Sequence, residues 1–101
     1  MFSRICLKNE DLVKQVSFRY YKDKDIVNHY LIKDYNKMAY CKKKGNEIYI
    51  SELVCKASES IIYRVILHEM VHLTYTNMSE DDVMAETDKR FAKTAGLWNI
   101  I

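Results

Sequence analysis

The sequence predicts an α+β fold, and three observations predict it. Two stretches of helical spacing open the chain, two alternating β-type runs flank a Gly-Asn turn in the middle, and two successive helical patterns fill the rest. At 101 residues, the chain is long enough for one small domain with a single core and too short for two, so one domain over 1–101 is expected. Hydrophobic residues make up 49% and charged residues 30%, a globular composition rather than a disordered one.

The elements follow in order. Asn9 is a candidate N-cap for a helix through "EDLVKQV", with Leu12, Val13 and Val16 on one face. "VSFRYY" also alternates like a strand, which leaves the end of that helix open. "DKDIVNHYLIKDY" places Ile26, Val27, Tyr30 and Leu31 at helical spacing, which predicts a second helix. "MAYCKKKGNEIYIS" holds two β-type runs around Gly45-Asn46, a hairpin signal. A helix begins near Ser58 or Ser60 and is apolar on nearly all sides from Ile61 to Leu73, the mark of a buried helix. It is expected to fray by Asn77. Ser79 then caps a last helix in the S-x-x-D pattern with Asp82. Glu80, Asp81 and Asp82 in its first turn suit the positive end of the helix dipole, and Gly96 is the expected stop.

Composition excludes several classes. The formal charge of +2 and pI near 8.4 are too mild to argue for nucleic acid. Lys42, Lys43 and Lys44 sit at the turn and read as solvated. Cys6, Cys41 and Cys55 are odd in number and widely spaced, which suits free thiols better than a disulfide framework or a thiolate metal site. No apolar run approaches the roughly 20 residues of a membrane span. The N-terminus shows no secretory pattern, so a cytoplasmic protein is expected. Frequent Lys, Ile, Asn and Tyr fit an AT-rich microbe or a phage.

The chemistry concentrates in "ILHEMVHLTY". His68, Glu69 and His72 spell H-E-x-x-H, and a chance match in this composition has an expectation of roughly 0.6%. On a helix, residues four apart share a face, with Cβ atoms roughly 5–6 Å apart. Two imidazoles there can converge on one zinc ion. Glu69, turned by about 100°, is badly placed as a ligand and well placed as a general base for a water at the ion. An ion also explains why a buried helix would desolvate three polar side chains.

A third protein ligand must come from elsewhere. The only other histidine, His29, reads as a surface residue of the second helix. On the last helix, Val83, Glu86, Thr87, Arg90, Phe91, Thr94, Leu97 and Trp98 form one stripe. Glu86 thus falls on the apolar face, where an unpaired carboxylate is costly, and it is the expected third ligand. Pairing of Glu86 with Arg90, four residues on, is the competing reading, and Asp82 is the reserve ligand. Tyr75, three residues after His72, is a candidate donor to a developing oxyanion.

H-E-x-x-H on a helix resembles the signature of the zincin metallopeptidases. "GNEIYISELVCKASESIIYRVILHEMVHL" resembles the stretch leading into the active helix of SprT-like and ImmA/IrrE-like proteins, and "AETDKRFAKTAG" resembles the glutamate-bearing helix of the ImmA/IrrE type. The chain departs from the first in having no histidine after the motif. It departs from the second in placing Glu86 five residues, not four, before Phe91. The resemblance implies a minimal gluzincin-like domain: helices on a small, mostly antiparallel sheet, with an edge strand above the zinc helix.

The function expected is zinc-dependent hydrolysis of peptide bonds, with Glu69 as base. An extended protein or peptide substrate would add to an edge strand, for which the one containing Ile48 and Ile50 is the candidate. The competing reading is an interaction module that keeps the fold and binds a host or regulatory protein. Glu69 discriminates, since a pure binding module has no need of it. Association with nucleic acid, which the SprT-like resemblance raises, finds no support in the charge.

Overall fold

The computed structural model describes residues 1–21 and 39–98. Helix α1 spans Phe2–Lys8 and strand β1 spans Ser17–Tyr21. The hairpin strands β2 and β3 span Ala39–Lys42 and Glu47–Ser51. A short helix α2, Glu52–Cys55, leads into α3, Glu59–Thr74, and α4, Glu80–Trp98. The helix expected through Ile26 and Leu31, with His29 on it, lies outside the described residues.

The hairpin forms where the Gly-Asn turn was expected. Both turn residues take positive φ, +89° at Gly45 and +51° at Asn46, the left-handed region that glycine enters freely and asparagine tolerates. The Asn46 carbonyl also accepts from the Ser17 N–H at 3.0 Å, which ties the turn to β1. The strand order is β1-β3-β2. β2 pairs antiparallel with β3, as a hairpin must, whereas β1 pairs with β3 in parallel. The sheet is therefore mixed rather than mostly antiparallel. A parallel pairing needs a long connection between its strands, and no local pattern announces it. It also makes β3, which carries Ile48 and Ile50, the central strand. Among the described residues, the open edge beside α3 belongs to β2.

Alternation along the strands gives the sheet one buried face. Ile48 and Ile50 lie at 0% and 3% exposure, with Phe18 and Cys41 packed beside them. Against this face lies α3, whose Tyr63, Leu67, Met70 and Val71 are fully buried. Burying a side chain of this size contributes roughly 1.5–3 kcal/mol, so α3 is the central beam of the core. β2 packs directly across it. Ser51 closes the far end of β3: its Oγ accepts from the Val54 N–H at 3.4 Å and caps α2.

At the N-terminus the structure differs from the pattern reading. Asn9 ends a helix instead of starting one. Its Nδ2 donates to the Ile5 carbonyl at 2.9 Å, satisfying an orphan acceptor at the end of α1. Ile5 is fully buried, and Phe2 meets Phe18 edge-on at 5.2 Å. These contacts fix α1 against the sheet. Residues Glu10–Val16 form a turn and an extended link instead of a helix, because Leu12 is drawn into the core at 2% exposure and the Val13 N–H donates to Thr74 Oγ1 at 2.9 Å. At the other end α4 runs through Gly96 to Trp98, so that glycine is not the stop.

The core role of α3 is testable. Leu67→Ala should cost about 2–5 kcal/mol of unfolding free energy by urea titration, and Ile61→Ala, at 48% exposure on the same helix, well under half as much.

Candidate metal centre

α3 carries both histidines of the motif on one face. Their rings meet edge-on with centroids 4.9 Å apart. α3 ends at Thr74, earlier than Asn77. Its last turn closes through the Tyr75 N–H onto the Val71 carbonyl at 2.8 Å, and a tight turn follows through the Met78 N–H onto the Tyr75 carbonyl at 3.0 Å. Lys43 of the hairpin turn donates to the Thr76 carbonyl at 2.7 Å, pinning this corner to the sheet. Ser79 then caps α4 as expected, its Oγ accepting from the Asp82 N–H at 3.2 Å.

This corner brings an unexpected carboxylate to the histidines. Glu80, the first residue of α4, reaches back over α3. One of its carboxylate oxygens lies 2.9 Å from His68 Nε2 and the other 2.6 Å from His72 Nε2. One ligand atom from each of the three residues lies within 4.8 Å of the other two. Ligand atoms around a tetrahedral zinc stand ~3.3 Å apart at bond lengths of roughly 2.0–2.1 Å. Small side-chain rotations convert one arrangement into the other. The donor set of two imidazoles and a carboxylate, with a fourth position left for water, is that of catalytic zinc sites. The residues therefore fit the metal that the motif implies. The histidines are partly buried, whereas Glu80 is 59% exposed, so the cluster opens to solvent on the Glu80 side.

Glu86 is not in this cluster. It lies two turns further along α4, and Arg90 Nε donates to its Oε1 at 2.9 Å. The competing reading, an i,i+4 pair, describes its geometry, and the carboxylate that lies beside the histidines is that of Glu80. Arg90 supplies the partner that a carboxylate on this face requires. Glu80 was passed over as a helix-dipole residue. The missed signal was the brevity of the turn: a helix capped at Ser79, so soon after His72, must start beside the histidine face. Asp82 is exposed in the first turn and stands outside the three-residue cluster. Tyr75 points elsewhere too. Its hydroxyl donates to Asp11, because the chain leaves helical geometry at this residue, with φ −107° and ψ 72°.

Glu69, the expected base, sits against β2. It is buried at 7% exposure, beside Cys41 of β2 and near enough to Glu80 to feel its charge. Burial pushes its carboxyl up to about 7, the Glu80 charge adds to the rise, and a hydrogen bond from the Cys41 thiol opposes it. Cys41 is in turn pushed up to about 12, by burial first and then by the Glu69 charge. His68 is shifted down by burial, against the pull of Glu80, which favours the neutral imidazole that a metal needs.

A likeness to a solved structure accompanies this geometry. The chain resembles the metallopeptidase zymogen of Pyrococcus abyssi abylysin, known from a crystal structure, with a TM-score of 0.59 and 16% identity. The match covers 89% of this chain and 78% of that one. It shows a metallopeptidase-like fold and does not single out the SprT-like or ImmA/IrrE-like families. No protein-family model matches the sequence, and no curated protein does. Among the described residues, no helix is long and apolar enough to cross a membrane.

The contact between Cys41 and Glu69 can be read by thiol chemistry. At pH 8, iodoacetamide should modify the exposed Cys55 well before Cys41, whose thiolate is scarce. Glu69→Gln removes the neighbouring charge and should speed alkylation of Cys41, as followed by peptide mass spectrometry.

Proposed function

We propose that this chain is a zinc-dependent metallopeptidase, a single zincin-like domain whose metal is held by His68, His72 and Glu80. The observation that carries the reading is the convergence of these three side chains beside a buried glutamate whose carboxyl titrates near neutrality. The metallopeptidase-like fold supports it. Zinc bound there would act as a Lewis acid towards the scissile carbonyl and make a water acidic enough to ionise near pH 7.

The chain's own residues supply the rest. A base works best when its pKa lies near the working pH, and burial has moved Glu69 there. Its carboxylate accepts the proton of the attacking water and delivers it to the leaving amine, so the group ends the cycle as it began. The Cys41 thiol of β2 lies beside this carboxylate and favours its charged form. Among the described residues, β2 pairs only with β3. Its free edge lies beside α3 and can accept an extended peptide by main-chain pairing. β3, paired on both sides, cannot take that part.

Glu69→Gln tests the reading. It keeps the side-chain volume and removes the basicity, and Glu69 is not one of the three clustered ligands, so zinc content should hold. Peptide hydrolysis, assayed on a broad peptide library and on the chain itself, should fall by about 10²–10⁴-fold. If wild-type and variant protein both hold zinc, neither cuts, and both bind the same protein partner, the domain is a binding module on a metallopeptidase-like fold.

A further inference from the structure

A second polar cluster joins three segments distant in sequence. Arg90 of α4 donates to Asp11 through both terminal nitrogens, Nη1 to Oδ1 at 2.9 Å and Nη2 to Oδ2 at 2.7 Å. Its Nη1 also donates to Asn9 Oδ1 at 3.2 Å, and its Nε to Glu86. The Tyr75 hydroxyl, from the residue that follows α3, donates to the same Asp11 carboxylate. Exposed ion pairs contribute little, but a bidentate, networked one is the exception. The Arg90 side chain here is only 15% exposed. Asp11 is itself held in place relative to α3, by burial of Leu12 and by the Val13 N–H on Thr74 Oγ1.

Resting on the metal-site reading above, we infer that Asp11 and Arg90 are positioning residues for Glu80: their ion pair fixes the rotation of α4 relative to the end of α3, and so aims the third ligand at the histidines. Val83 and Thr87 are the buried residues of α4, Phe91 adds a ring contact to Tyr63 of α3 at 6.3 Å, and at 100° per residue Arg90 lies within about 20° of Val83 around the helix, on the side away from Phe91. Val83, Thr87 and Arg90 thus form one line of attachment along α4. Glu80 lies roughly 60° around the helix from Val83 and about 20° from Thr87, and among the described residues its ion pairs are those with His68 and His72. Turning α4 by about 20° about its axis would carry each Cα some 0.8 Å. Metal–ligand distances tolerate about 0.2 Å, so the flexible Glu80 side chain would have to absorb the difference. Arg64 of α3 also pairs with Asp88 of α4, but both partners are more than half exposed and hold the rotation weakly.

The test is a double-mutant cycle read by zinc affinity, measured by competition with a chromophoric chelator on protein shown by circular dichroism to be folded. Asp11→Asn should weaken zinc binding about tenfold, as loss of a supporting partner typically does. In a Glu80→Gln background the same substitution should have no further effect, because the group it aims is already gone. Arg90→Met should follow the same pattern. An equal loss in both backgrounds would mean general loosening and would overturn the inference, as would unchanged affinity in the single variants. A wild-type chain that takes up no zinc would instead overturn the metal-site reading, and the inference with it.

Discussion

The architecture turns on one juxtaposition: two imidazoles on a buried helix and a carboxylate carried back to them by the next helix. His68 and His72 owe their common face to helical spacing, and α3 owes its fixed position to the burial of Tyr63, Leu67, Met70 and Val71. Glu80 owes its place to the tight corner between Thr74 and Ser79. Each of these is an ordinary folding feature. Together they bring one donor atom from each residue within 4.8 Å of the other two, a concentration of lone pairs that a bound cation would stabilise.

The same burial that fixes the histidines raises the Glu69 carboxyl. Glu69 faces β2 from inside the core, and its carboxyl rises from an ordinary 4.5 to about 7. Linkage gives the sign of the cost. A carboxyl whose folded value lies above its unfolded one withdraws stability as pH rises between the two, so above pH 7 the metal-free fold carries a charged, buried Glu69 at a penalty. A site that needs a base near neutrality accepts that penalty, and the thiol of Cys41 softens it by hydrogen bonding to the charged form.

Legibility in the sequence followed the range of the physics. The hairpin at Gly45-Asn46, the buried helix with H-E-x-x-H and the cap at Ser79 rest on contacts within a few residues, and local pattern was enough to find them. The parallel pairing of β1 with β3 joins strands across the whole hairpin and has no local signature. Asn9 illustrates the same limit. Its side chain caps equally well in either direction, and the burial of Ile5 and Leu12 decided that it ends α1. In the site, His68, Glu69 and His72 were legible because spacing alone sets their geometry. Glu86 was chosen for its apolar face, yet Arg90 pairs with it and joins it to Asp11, a partner 79 residues away in sequence. Glu80 was hidden because an acidic residue in a first helical turn already has a sufficient reason to be there.

The central claim is that Glu80 completes the metal centre. Crystals of the zinc-loaded protein, with data collected above and below the zinc absorption edge, test it most directly. The account predicts one anomalous peak within roughly 2.0–2.2 Å of His68 Nε2, His72 Nε2 and a Glu80 carboxylate oxygen, with Glu86 still on Arg90. A peak bound by Glu86 or Asp82 in place of Glu80, or no peak at the histidines in zinc-soaked crystals, would contradict it.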